Sequence, residues 1–364
     1  MNIRPSNAHI WVVCPGMVRL SQGALPDDDE DNTVREEGTA CHWLAHQIGT
    51  GRTVAEGTLA PNGVAVDSDM IDAVAMYLDA VSHWPNPRFE VPVQCHAIHP
   101  MLEGTPDVFS WDAATGTLRI GDLKYGYRPV EAEGNWQLLC YVAGVMQLLG
   151  LGLLGGQVQR VELMICQPRA GGVRVATMGM GQVLELWNVL RNAALEACGP
   201  SPRCVTNPHC ISCAGRHQCT ALQTAALTVL DATHAATPDA LPFEAAENEL
   251  RMLKWARDII DARCEGLEQQ VIHAMTRQGQ PSRHWEMRNT LGRLTWRPES
   301  IHVVQQMAKL AGVQVIKPPQ LVTPTQAKKL LGESLVNAHA TRPPGAKKLV
   351  PTDAGRWARI FGEK

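Results

Sequence analysis

Glu103-Gly104-Thr105-Pro106-Asp107 leads into Val108-Phe109-Ser110-Trp111, and after Ala114-Thr115-Gly116 the chain runs on as Thr117-Leu118-Arg119-Ile120-Gly121-Asp122-Leu123-Lys124-Tyr125. Apolar and aromatic runs on either side of a Thr-Gly turn predict a hairpin with strands over 106–111 and 117–125. Asp107 then stands at the start of one strand and Asp122 inside its partner, so the two carboxylates converge at one end of a sheet. Lys124, two residues past Asp122, shares its face. Paired carboxylates are hard oxygen ligands suited to Mg²⁺ or Mn²⁺, and an ammonium beside them can orient a water or offset phosphorane charge. That is the outline of phosphodiester hydrolysis. The plain alternative is two surface acids and a solvated lysine.

Outward from the hairpin, the period sets the remaining elements. Residues 89–93 read as a further strand. Upstream, residues 40–48 place His42, Ala45 and His46 on one helical face, and Met70, Val74, Leu78 and Val81 mark a second amphipathic helix. Downstream come a helix over 130–149, strands over 158–166 and 173–178, and a helix over 182–197. Helices, meander, helix, strands and helix in that order predict an α/β fold, a mixed central sheet flanked by helices. Gln137 and Tyr141 are i and i+4 on the helix after Lys124, so they share a face.

The eleven cysteines, an odd number without secretory context, argue against a disulfide framework and for metal or cluster ligation by a subset. Cys210, Cys213 and Cys219 form a local three-thiolate group that needs a fourth ligand. Cys204 would complete a structural Zn²⁺ site, with His209 and His217 as further zinc-type ligands. Cys14, far upstream, is the other candidate. Cys41, Cys95, Cys140, Cys166, Cys198 and Cys264 have no ligand-like spacing and read as small, mostly buried residues.

Composition narrows the class. With 45% apolar and 19% charged residues the chain is not a disordered one. The net charge of −3 excludes a uniformly basic nucleic-acid coat, yet residues 297–364 hold eleven Lys/Arg against four acids and leave −10 for the rest. The acidic run Asp27–Asp31 reads as a solvated loop. The start of the chain shows no charged segment followed by an apolar core, so a cytoplasmic protein is expected. The apolar stretch over 138–156 is broken by Gln147 and five glycines, which suits a buried helix and its exit better than a membrane span. A Thr/Ala/Pro-rich linker near 225–240 predicts two domains, 1–224 and 225–364. In the second, Leu250, Leu253, Ala256, Ile260, Cys264, Leu267, Val271 and Met275 mark a long helix, residues 285–296 a hairpin, and residues 324–331 a helix capped by Thr323. Lys and Arg there would attract a phosphate backbone, and Trp285, Trp296 and Trp357 would stack on unpaired bases, or else form a core beneath a solvated face.

Taken together these motifs resemble the PD-(D/E)XK nuclease superfamily, with Pro106-Asp107 as "PD" and Asp122-Leu123-Lys124 as "(D/E)XK"; Asp at 122 is within the pattern. Glu37-Gly38-Thr39-Ala40-Cys41-His42 is similar to the upstream histidine motif of the RecB-like branch, and Gln137-Leu138-Leu139-Cys140-Tyr141 to its Q-x-x-x-Y motif. The resemblance implies a restriction-endonuclease-like core with a mainly helical C-terminal domain. It implies Mg²⁺ or Mn²⁺ on Asp107, Asp122 and the Leu123 carbonyl, His42 as an added metal ligand, Lys124 orienting the attacking water, and Gln137 and Tyr141 positioning substrate. Cys14 with the late C-x2-C-x5-C resembles AddB-type nucleases, which implies a structural [4Fe-4S] cluster on Cys14, Cys210, Cys213 and Cys219. Trp11-Val12-Val13-Cys14-Pro15-Gly16, Thr323-Pro324-Thr325-Gln326-Ala327-Lys328-Lys329, Arg342-Pro343-Pro344-Gly345 and Leu349-Val350-Pro351-Thr352-Asp353 are similar to a phage and prophage family of RecB-like proteins of formally unknown function. That likeness implies a DNA exonuclease of phage recombination in the bacterial host cytoplasm. Its implied partners are DNA and a single-strand annealing protein, with a homo-oligomer possible in principle and no membrane. The rival functions are a catalytically inactive DNA-binding or phage structural protein keeping the fold, and a zinc-stabilised structural protein.

Overall fold

A computed structural model describes residues 3–25, 33–152, 156–232, 242–291, 295–297, 300–313, 315–317, 320–321, 327, 330–341 and 344–351. At its centre is a five-stranded mixed sheet in the order β1-β4-β5-β6-β7. Its strands are β1 (Arg88–Phe89), β4 (Val108–Asp112), β5 (Thr117–Leu123), β6 (Arg160–Gln167) and β7 (Gly172–Gly179). A small ribbon, β2 (Val93–Gln94) with β3 (Glu103–Gly104), lies between β1 and β4 in sequence. The predicted hairpin is β4–β5, antiparallel with Val108 opposite Gly121. Asp112 turns the chain by accepting bonds from the Ala114 and Thr115 N–H groups, and Gly116 supplies the positive φ of 61° that the turn requires. Between β5 and β6 the chain crosses over through α5 (Trp136–Leu148), so those two strands are parallel, with Asp122 opposite Ile165.

Alternation along β5 sorts the sheet and its flanking helices into three layers. Leu118 and Ile120 face a core shared with α5, with α6 (Met180–Ala197) and with the N-terminal turns α1 (Ala8–Trp11) and α2 (Met17–Leu20). Leu123 faces the opposite core, built from α3 (Thr33–Gly49) and α4 (Ser68–Val81). Helices on both faces of a mixed sheet are the architecture that the period implied. Two helices begin where the sequence provides an acceptor: Asp67 caps α4 through the Met70 N–H, and Asn135 caps α5 through the Leu138 N–H. The predicted helix over 130–149 therefore starts only at Trp136, because Asn135 ends the preceding loop. Residues 138–146 are all buried in α5, and no helix among the described residues is long and apolar enough to cross a membrane.

Four expectations change. The predicted strand over 89–93 is split into β1 and β2, with Glu90 between them at φ 49°. The long helix, α8 (Phe243–Arg277), which follows α7 (Thr220–Ala232), turns a different face inward from the one its apolar spacing marked. Ile259 and Ala262 are buried with Cys210, Cys219 and Leu222, whereas Leu250, Leu253 and Leu267 are exposed. This packing also moves the division between units. Residues 33–271 belong with the N-terminal residues to one unit, and the described residues from 272 onward form another, rather than parting at 224/225. Beyond α8 the described residues hold both strands and helices. Trp285–Leu291 pairs with Pro344–Pro351 and Thr295–Trp296 with Ala340–Thr341, so the expected 285–296 hairpin is replaced by pairing with distant strands. Asp27–Asp31, Trp357 and most of the expected 324–331 helix lie outside the described residues.

Candidate active site

Asp107 precedes β4, and the Leu123 N–H at the end of β5 donates to its Oδ2 at 2.6 Å. Asp122, on β5, and Lys124, just beyond it, point to the side on which α5 packs. Lys124 Nζ lies 2.8 Å from Asp122 Oδ2 and donates to Gln137 Oε1 at 3.1 Å. Gln137 Nε2 in turn donates to Asp122 Oδ1 at 2.8 Å and to the Tyr141 hydroxyl at 3.3 Å. The i, i+4 pair thus reaches the carboxylate through one amide, which holds the lysine and the aspartate at once. From α3, on the other face of the sheet, His42 brings Nδ1 to 3.2 Å from Asp107 Oδ1. It is His42, not His46, that reaches the aspartate. All six residues and Leu123 therefore meet at one sheet end.

Asp122 is 1% exposed, and burial raises its carboxyl pKa against the pull of Lys124. Burial acts likewise on Asp107, but His42, Lys124 and the Leu123 N–H outweigh it and hold that carboxyl below its ordinary value. Burial works against charge on Lys124 too, yet the two aspartates keep it a stronger base than usual. His42 follows the same logic: burial favours the neutral ring, Asp107 overrides it, and its pKa rises to about 9. One acid is set for ionisation and one for protonation within a single cationic cage.

Glu90 is the residue that sequence spacing did not reveal. Its carboxylate, Asp107 and His42 offer ligand atoms that all lie within 4.8 Å of one another. The Glu90 N–H donates to the Asp107 carbonyl at 3.1 Å, and its backbone takes the left-handed conformation that glutamate rarely adopts. Burial and the neighbouring Asp107 push its pKa up to about 7. Within Phe89-Glu90-Val91 it reads as the polar position of a strand, and only the break between β1 and β2 turns it toward the site.

A second cluster lies beside α1. Cys14, Cys210, Cys213 and Cys219, all buried, line one small cavity with Ile10, Leu222 and Arg216. Cys14 is placed by Trp11, fully buried, whose indole N–H donates to the Arg4 carbonyl. Backbone N–H groups of Val205 and Asn207 approach the sulfurs of Cys14 and Cys210 at 3.3 and 3.4 Å. Cys204 adjoins the group without lining the cavity, and neither His209 nor His217 lines it. Gly16 is required here, since a Cβ would collide with the Cys204 sulfur and lie 2.8 Å from the Arg203 carbonyl oxygen. Of the other six cysteines, four are buried, Cys198 is half-buried and Cys264 is exposed.

Compared with known families, the chain matches at residues 2–357 the model described as "Protein of unknown function (DUF2800)".

Proposed function

The chain belongs to the DUF2800 family, and we propose that it is a metal-dependent DNA exonuclease of the RecB-like PD-(D/E)XK type, hydrolysing phosphodiester bonds in phage-type recombination. The observation that carries this reading is the closed network Asp107, Asp122, Lys124 and Gln137 with His42 at its edge. Buried carboxylates of this density repel one another unless a cation joins them, and the nearby positive charges are already engaged by Asp107 and Asp122. The donor set fits a hard divalent ion: the carboxylates of Asp107 and Glu90 and the His42 imidazole converge, and Asp122 stands at the same sheet end, held by Lys124 and Gln137. When bound, Mg²⁺ or Mn²⁺ supplies charge neutralisation at a phosphoryl oxygen and a more acidic water.

The chain's own residues do the rest. Lys124, held by Asp122 and Gln137, directs its ammonium toward the attacking water and offsets charge that develops on the phosphoryl oxygens. Gln137 fixes the spacing of lysine and carboxylate, and Tyr141, bonded to the same amide, keeps Gln137 in its rotamer. Exonuclease action, the recombination role and an annealing-protein partner rest on the family resemblance of the motifs rather than on geometry.

The four cavity-lining cysteines support a [4Fe-4S] cluster over zinc. Cys204 lies outside the cavity lining, and neither His209 nor His217, on which a zinc site would also draw, lines it, whereas Cys14 does. Digestion of end-labelled linear and circular DNA tests the function. Linear DNA is expected to be degraded with Mg²⁺ or Mn²⁺, not in chelator, and not by Asp122→Ala; hydrolysis that persists in either control refutes the site, and binding without hydrolysis favours the inactive DNA-binding rival.

A further inference from the structure

Between Lys124 and α5 lies a loop whose backbone is fixed from beneath. Gln167, 1% exposed at the end of β6, donates from Nε2 to the carbonyls of Gly126 at 2.9 Å and Arg128 at 2.8 Å. Its Oε1 accepts from the Val130 N–H at 3.0 Å. Arg174 adds bonds to the Val130 carbonyl and to the same Gln167 oxygen. A buried amide bonded at both ends to loop backbone costs desolvation and returns rigidity.

The side chains on this rigid loop point away from the core. Tyr127 is 63% exposed, and Arg128 is exposed beside it. Beneath Tyr127, the Arg169 guanidinium lies 3.6 Å from the centre of the buried Tyr125 ring and 5.0 Å from that of Tyr127. Arg169 is itself anchored to Glu37 at 2.6 Å, in the turn of α3 that precedes His42. The outer ring is braced from behind by a cation. Near Arg128 stand His9 and His209, edge to face with centroids 5.1 Å apart. This rim, three and four residues past Lys124, offers an open aromatic face beside an exposed guanidinium.

We propose that the clamped loop 126–130 receives an unpaired DNA strand, with Tyr127 stacking on a base and Arg128 contacting the backbone phosphate, so that a single-stranded end is the substrate the site takes. This deepens the nuclease reading and rests on it for what happens to the strand. The two residues have separable roles. A base in a duplex hides its faces in the stack, so an aromatic platform gains contact chiefly from an unpaired base, whereas a guanidinium meets phosphate on either form. Interleaved aromatic and cationic groups are the means by which proteins hold single strands without reading sequence. Prior fixing of the loop backbone lowers the ordering cost of such binding.

The test is fluorescence anisotropy of the full chain in chelator, where no hydrolysis is needed, with a labelled single strand and the corresponding blunt duplex. Tyr127→Ala is expected to weaken single-strand binding about tenfold while leaving duplex binding nearly unchanged, and Tyr127→Trp to restore it. Arg128→Ala is expected to weaken both and to lower the salt slope by about one phosphate's worth. Because Tyr127 is exposed, the melting temperature of its variants should not move. Unchanged single-strand affinity in Tyr127→Ala, or equal losses on both forms, overturns the proposal. Tyr127-dependent binding by a protein that degrades no DNA would support this surface and defeat only the nuclease reading.

Discussion

Lys124 carries the heaviest chemical demand of any residue in the molecule. It shares Asp122 with Gln137, and because Gln137 Nε2 still holds Asp122 Oδ1 when the lysine is shortened, Lys124→Ala is expected to keep fold and DNA affinity while turnover falls by about 10²–10⁴. Single-turnover rates beside thermal melting check this; a matching loss of stability would mark the lysine as structural. Glu90 and His42 give a pH signature. Both hold a proton more tightly in the folded chain, Glu90 up to about 7 through burial and Asp107, and His42 up to about 9 because Asp107 overrides burial. A raised folded pKa contributes stability that is complete below the unfolded value and is lost as pH rises through the folded one. Metal-free protein should thus melt progressively lower from about pH 5 to about pH 9, Mn²⁺ should restore more stability at the alkaline end, and Glu90→Gln should remove the part lost between about 4.5 and about 7. A pH series of melting curves with and without Mn²⁺ decides it. Asp107, Asp122 and Lys124 were legible because strand alternation ties their spacing to one face, and Gln137 with Tyr141 because a helix does the same. Glu90 was not, because a single backbone angle, and no periodicity, aims it.

Elements matter here by what they hold in place. α5 carries Gln137 and Tyr141, and its position depends on α6: Trp187, fully buried, donates its indole N–H to the Leu139 carbonyl at 2.9 Å. Trp187→Phe should cost about 0.5–1.5 kcal/mol for the lost hydrogen bond, since the Leu139 carbonyl keeps its bond within α5, and Trp187→Ala about 3–5 kcal/mol from the cavity. Urea unfolding measures both, and activity should fall further in the alanine variant as α5 loses its seat; equal activities would show that α5 is fixed elsewhere. The sheet strands were readable since each is a short apolar run closed by turn residues. The 285–296 hairpin was misread for a physical reason: strand propensity is local, while partner choice is not, and both strands pair with residues some fifty positions later. α8 shows the converse limit. Its length was plain from period, but two apolar faces compete on one helix, and only packing against Cys210, Cys219 and Leu222 selects the one bearing Ile259 and Ala262.

At the scale of the whole molecule, that packing decides where the chain can be cut. The cysteine cavity is closed on one side by α1 and is backed by a core to which α8 contributes Ile259 and Ala262. Gly266 lies so close to the His217 backbone that a Cβ there would sit 2.9 Å from its nitrogen, and Arg263 donates to the His217 carbonyl at 2.8 Å. A chain ending near 238, inside the linker that composition singled out, would therefore strip the cysteine module of its support, whereas one ending near 280 keeps all of α8. Anaerobically purified, the longer fragment is expected to retain the brown absorbance of a [4Fe-4S] cluster and the shorter one to lose it; Cys14→Ala should bleach the full chain, and Cys204→Ala should not. A colourless full chain holding one zinc would overturn the cluster. The longer fragment also isolates the charge of the tail, since residues 297–364 carry a surplus of seven positive charges over their four acids. If those charges engage DNA, removing them should weaken binding and flatten the dependence of log K on log salt, the slope falling by about 0.9 for every duplex phosphate that the tail had neutralised. An unchanged slope would assign the tail to a protein partner, and the affinity left would belong to the rim beside Lys124.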